Sequence, residues 1–114
     1  MRAQVSEIVF DCGDPAGLVR FWAELLGGTP VDRGPDWSYL EPPGFARIAF
    51  QQVPEGKVVK NRLHLDLHVA DVSGAADEAI PLGATRSGGL VTDEQGDFQV
   101  MHDPEGNEFC FVAG

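Results

Sequence analysis

At 114 residues, with 43% hydrophobic and 23% charged side chains, the chain can bury one substantial core and has the composition of an ordinary globular protein. A formal net charge of −10 argues against nucleic acid and anionic membranes as partners, and leaves cationic small ligands or plain solubility as its meaning. No apolar run approaches the roughly 20 residues of a membrane span, and no signal-peptide pattern precedes Val5. Cys12 and Cys110 are too few for a disulfide framework, so a reduced, cytoplasmic protein is expected.

Residues 5–12 alternate as a half-buried strand, with Ile8 and Phe10 on one face and Glu7, Val9 and Asp11 on the other. Asp14 is a good helix cap and Pro15 suits the first helical position. Leu18, Phe21, Trp22, Leu25 and Leu26 then recur at helical spacing until Gly27-Gly28 ends the helix. Three short extended stretches follow, about 29–33, 37–41 and 45–53, with turns at Gly34-Pro35 and Pro42-Pro43-Gly44. The first half therefore reads as strand, helix and three strands.

A polar connector, 54–61, leads to a second half with the same order. Residues 63–69 alternate, with Leu63, Leu65, Leu67 and Val69 facing one way and His64, Asp66 and His68 the other. Asp71 caps a weaker helix through Ala75, Ala76, Ala79, Ile80 and Leu82, interrupted near its end by Pro81. Strands are expected at about 84–87, 98–103 and 107–112. Gly88-Gly89 and 93–96 read as loops, and Asp103-Pro104-Glu105-Gly106-Asn107 as a tight hairpin turn.

The halves echo each other. EIVFDCGD starts at Glu7 and HLDLHVAD at His64, 57 positions later, and each runs into an Asp, a helix and a Leu-Gly-x-Thr ending at Thr29 and Thr85. A chain that repeats itself in this way is expected to hold two copies of one supersecondary unit. The fold expected is α+β: two tandem βαβββ units in a single domain, 1–114, with unit one about 1–53 and unit two about 62–114. One helix covers one face of each curved sheet. The uncovered faces, carrying Glu7, Val9, Asp11, His64, Asp66, His68, Glu108 and Cys110, are expected to form a polar, ligand-sized cup.

The bland reading of each polar residue stands beside the functional one. His64 also suits a core-edge histidine bonded to Asp66 or Glu7, and Cys110 a small buried apolar side chain. Asp66 and His68 form an acid–base pair only if a third group orients the imidazole; otherwise Asp66 binds nearby donors. Trp37 and Tyr39 either wall the cup or pack in a dimer interface. His102, before the tight turn, is expected to be exposed.

The doubled βαβββ pattern, HLDLHVAD, the LGAT after the second helix and the terminal DPEGNEFCFV resemble the glyoxalase/bleomycin-resistance/dioxygenase (vicinal oxygen chelate) superfamily, closest to its small glyoxalase-like subfamily. In metal-dependent relatives one ligand comes from the first strand and one from the last strand of each unit. Carried over, the resemblance implies Glu7 as first ligand, His64 as third and Cys110 in the place of the usual terminal-strand Glu. The second position falls on Ala49, which cannot bind, with Gln51 two residues on. Glu7, His64 and Cys110 suit zinc; Glu7, His64 and Glu108 with a water suit a harder ion.

With this ligand set incomplete, the resemblance implies a small-molecule-binding protein of unassigned reaction, lacking the standard metal centre. Asp66, His68, Gln51, Glu108, Trp37 and Tyr39 would surround a cationic or aromatic ligand. The alternative is a divalent-metal lyase, isomerase or dioxygenase, using zinc, nickel, cobalt, manganese or iron on a substrate with adjacent oxygens. Glyoxalase I activity itself is not expected. The resemblance also implies a homodimer, with the units paired within one chain or exchanged between two.

Overall fold

The structure, a computed structural model, describes residues 1–114. The chain divides into two compact units, Met1–Gly56 and Lys57–Gly114. No helix is long and apolar enough to cross a membrane.

In the first unit β1 (Glu7–Cys12) leads into α1 (Pro15–Leu26), followed by β2 (Val31–Gly34), β3 (Trp37–Leu40) and β4 (Arg47–Gln52). The sheet order is β1-β4-β3-β2. β1 runs parallel to β4, with Ile8 opposite Ile48 and Phe10 opposite Phe50. A parallel pair needs a long crossover, and α1 lies within it. The helix begins where expected: the Asp14 carboxylate accepts from the Gly17 N–H at 3.1 Å, and Pro15 occupies the first turn.

The buried face of α1, Leu18, Val19, Phe21 and Trp22, packs with Leu40, Ile48 and Phe50 of the sheet. The Phe10 ring meets Trp22 and Phe50 edge-on, at centroid distances of 5.6 and 5.4 Å. Ser38 is the polar exception in this core. Its hydroxyl donates to Asp32 at 2.7 Å, and Asp32 also takes a two-pronged contact from Arg20, which ties helix to edge strand. Those hydrogen bonds hold the Asp32 carboxyl below its usual range.

The second unit repeats the plan with β5 (Asp66–His68), α2 (Val72–Ala79), β6 (Thr85–Asp93), β7 (Gly96–His102) and β8 (Glu108–Ala113), ordered β5-β8-β7-β6. β5 is parallel to β8. Asp71 caps α2 through the Gly74 N–H, and a 3-10 turn at Ile80–Leu82, containing Pro81, closes the helix. The apolar face is built from Val72, Ala76 and Ala79 of α2 with Met101, Phe109 and Phe111 of the sheet. Both units are thus βαβββ, and the fold is α+β as expected.

Three local expectations are corrected. The strand expected at 63–69 is shorter, with Leu63 63% exposed and His64 just before β5. Alternation alone could not locate this end, because only Leu65 and later residues find a partner strand: the Leu65 carbonyl accepts from the Cys110 N–H at 3.0 Å. Second, Gly88-Gly89 is no loop. β6 runs through it with a register shift between Ser87 and Val91. The buried Gln99 amide donates to the Gly88 carbonyl at 3.1 Å and the Val100 carbonyl at 3.0 Å, so the irregularity keeps its acceptors occupied. Third, His102 is half-buried beside Glu108.

Candidate functional site

Strand alternation sends Leu67, Met101, Phe109 and Phe111 toward α2, and the side chains between them to the opposite face, which no helix covers. Asp66 and His68 of β5 therefore share that face with Cys110 and Val112 of β8 and with Phe98 of β7. A cavity of about 440 Å³ opens there, bounded at one end by the 93–96 turn and at another by Val112–Gly114. Its polar lining is His64, Asp66, His68, Asp93, Gln95, Asp97 and Cys110, and Phe98 is its aromatic wall.

His64 Nε2 lies 3.3 Å from Asp66 Oδ1, and both side chains are about half exposed. Asp66 and Cys110 are register partners across the parallel pair. One ligand atom from each of His64, Asp66 and Cys110 lies within 4.8 Å of the other two. Burial pushes the Cys110 thiol up from its usual pKa, and the neighbouring Asp66 charge pushes it further. The sulfur is therefore protonated at neutral pH and no ready nucleophile. A bound cation would reverse that balance, because it supplies the positive charge the thiolate lacks.

This donor set fits a metal of the kind the fold implies. One nitrogen, one oxygen and one sulfur are donors that would suit a borderline ion such as zinc. Ala49, at one of the implied ligand positions, is buried and offers no donor.

Glu108, expected among the ligand-binding residues, is engaged elsewhere. Its carboxylate accepts from the Asn61 backbone N–H at 2.9 Å and from Lys57 Nζ at 3.1 Å. The Asn61 amide adds a donation at 2.9 Å to the carboxylate and accepts from the Glu108 N–H at 3.2 Å. Burial pulls this carboxyl upward, but the hydrogen bonds from the Asn61 N–H and Lys57 outweigh it and hold the pKa at about 2. The segment 57–61 is thereby fastened to the start of β8. Nothing in the sequence marked this, since the partners are 47 and 51 residues apart.

The remaining expected residues lie on the first unit. Glu7 is half-buried at the start of β1, and the exposed Gln51 of β4 sits opposite Trp37 of β3. Trp37 and Tyr39 share a sheet face, and each ring carries an arginine: Arg33 at 5.5 Å from the Trp37 centroid and Arg47 at 4.1 Å from that of Tyr39. The structure thus brings His64, Asp66, His68 and Cys110 together on one unit, and Glu7, Gln51, Trp37 and Tyr39 on one sheet of the other. The cavity residues that sequence reading missed include Asp93, Gln95, Asp97 and Phe98. β7 begins at Gly96, two residues before the boundary drawn at 98, so Asp97 fell outside the expected strand and 93–96 was read only as a loop.

A family model for a glyoxalase-like domain matches residues 7–112. Among solved structures, a glyoxalase/bleomycin resistance protein/dioxygenase family enzyme from Burkholderia phytofirmans superimposes with a TM-score of 0.74 at 22% identity, over 97% of this chain and 98% of that one. The bleomycin-binding protein of Streptomyces verticillus, solved with copper(II)-bleomycin, gives 0.65 at 19% identity over 100% and 98%. The fosfomycin resistance protein FosX of Mesorhizobium loti gives 0.75 at 18% over 100% and 94%. No curated protein matches the sequence. At these identities the structures speak for the fold, and the family model, spanning both units, speaks for descent: the chain belongs to the glyoxalase-like domain family.

Proposed function

We propose that this protein binds a small organic cation with an aromatic or apolar part in the cavity on the open face of the second sheet. The observation that carries the reading is the lining itself: Asp66, Asp93 and Asp97 surround a space of about 440 Å³ that has Phe98 as an apolar wall. That volume falls within the range of small-ligand pockets, about 300–1,000 Å³. Asp97 is oriented by the Thr92 hydroxyl at 2.6 Å, and the Asp93 carboxylate accepts from the Gln95 N–H at 2.9 Å, so both acids are held in place on the rim. A net charge of −10 adds a long-range attraction for cations. A structural neighbour described as a bleomycin-binding protein supports ligand capture on this fold.

Two free cysteines fit a reducing, cytoplasmic setting. Exposed Phe45, Val58, Val59, Leu63, Leu90 and Val91 fit a homodimer, which light scattering would test. The binding test is a thermal-shift and calorimetric screen of aromatic amines beside neutral isosteres, on the parent and on Asp97→Asn. Cation-selective stabilisation that weakens in the variant supports the reading. No shift with any cationic aromatic compound removes it.

A second reading is a metal-dependent lyase, isomerase or dioxygenase, and the His64–Asp66–Cys110 cluster is what favours it. A divalent ion held there would polarise the oxygens of a substrate with adjacent oxygen atoms.

A further inference from the structure

The open face of the first sheet carries chemistry that the cation reading leaves unused. The strand register lays its side chains out in rows. Asp11, Gln51 and Trp37 lie opposite one another on β1, β4 and β3, and the next row is Val9, Ala49, Tyr39 and Val31. The second row is an apolar stripe, in which Val9 is 41% exposed. The first row ends at β2, where the register shifts between Asp32 and Gly34 and leaves Arg33 as the extra residue. A bulge re-aims its side chain, and the Arg33 guanidinium lies over the Trp37 ring, 5.5 Å from its centroid.

Two donors meet there without an acceptor. Trp37 Nε1 is shut off from solvent and has no hydrogen-bond partner. A buried N–H in that state costs stability, and native structures leave few of them without a reason. Arg33 has no carboxylate within ion-pair distance, and its contact is the ring. Arg47, stacked on Tyr39, differs: Glu41 stands 3.5 Å from it and Glu7 is its register partner on β1. An acceptor therefore gains most beside Arg33 and Trp37.

We infer that this face binds a carboxylate-bearing ligand with a flat apolar body, the carboxylate accepting from the Trp37 indole N–H and the Arg33 guanidinium, and the body lying along the Val9–Tyr39–Val31 stripe. A guanidinium is a planar fork that matches a carboxylate. Arg33 is exposed and Trp37 half-buried, so small rotations of both side chains bring their N–H groups to one ligand. The net charge of −10 does not decide the sign here, because charges more than about 8 Å away are largely screened at physiological salt. The adjacent Asp32 is already paired with Arg20.

This site is opposite in sign to the acidic cavity of the second unit, and its test is separate from the cation screen. The chain has two tryptophans, and Trp22, 1% exposed in the core, serves as the internal reference. Nitrogen-labelled full-length protein is titrated with benzoate, benzamide and inorganic phosphate at constant ionic strength, while the indole N–H resonances, assigned with Trp37→Phe, are followed by NMR. The expected result is a saturable downfield movement of the Trp37 N–H with benzoate and a still Trp22. Benzamide and phosphate bind at least about tenfold more weakly, Arg33→Gln weakens benzoate by about tenfold or more, and Arg47→Gln leaves it within about twofold. A still Trp37 resonance, benzamide binding as tightly as benzoate, or Arg33→Gln without effect overturns the inference. So does phosphate matching benzoate, which marks an unselective anion contact. The comparison of benzoate with benzamide on the parent protein is decisive even if a variant fails to fold.

Discussion

Removing the Glu108 carboxylate, by Glu108→Ala, tests whether the segment 57–61 is fastened by charge. The side chain keeps only 14% of its exposure, and its Lys57 partner 23%, so both are mostly out of water without being sealed from it. A hydrogen bond to a charged acceptor is worth about 1.5–3 kcal/mol and a mostly exposed ion pair up to about 1 kcal/mol. The Asn61 N–H at 2.9 Å belongs to the first kind, and the Lys57 pair at 3.1 Å, being largely out of water, is worth at least the upper end of the second. Losing both should cost about 2.5–4 kcal/mol. With an unfolding entropy of about 240 cal/mol/K for a chain of this length, the melting temperature should fall by about 10–17 °C.

The same carboxylate predicts a pH window. Its folded-state pKa of about 2 lies below its ordinary value of 4.5, so the stabilisation is complete above the ordinary value and is lost as pH falls from there toward 2. Urea denaturation followed by circular dichroism at pH 7, 5, 4 and 3 would show the stability gap between parent and variant constant down to pH 5 and shrinking below it. A melting shift under about 2 °C, or a gap of the same size at pH 3 as at pH 7, refutes the reasoning.

Two further perturbations follow from the geometry of the same unit. Asp103→Ala removes a 3% exposed acceptor that takes the Glu105 N–H at 2.9 Å, the Asn107 N–H at 2.9 Å and the Asn107 amide at 2.9 Å. It should destabilise the β7–β8 turn by about 2–4 kcal/mol in chemical denaturation. Gly96→Ala demands a φ of +125° that side chains resist, and drives its Cβ onto the Ala113 carbonyl oxygen. It should cost at least about 2 kcal/mol and raise amide exchange along the cavity end of β7 and β8.

What the sequence made legible was local. Asp14 and Asp71 each cap a helix through an N–H three residues on, and Asp103 through Asn107 close a turn with their own side chains. Signals of that kind sit within a few positions and survive any tertiary context. The doubled order of elements was legible for the same reason, since it repeats those signals in sequence. What was not legible depends on pairing across the sheet. Gly88-Gly89 looks like a loop until Gln99 is seen to take up the bulge carbonyls. Glu108 looks free until Lys57 and Asn61 close on it. Cys110 looks like an isolated thiol until the register sets Asp66 beside it.

The parallel pairing of β5 with β8 also has a kinetic meaning. Asp66 and Cys110 are 44 positions apart, with α2 and the whole β6–β7 hairpin between them. That hairpin can form early, because its strands are joined by a short turn and lose little entropy on closing. The pair that carries the histidine, the carboxylate and the thiol can zip only after the intervening chain has collapsed around α2. By loop-closure entropy the β5–β8 pairing is expected after the local hairpins, so the chemically equipped face should be completed late in the folding of this unit.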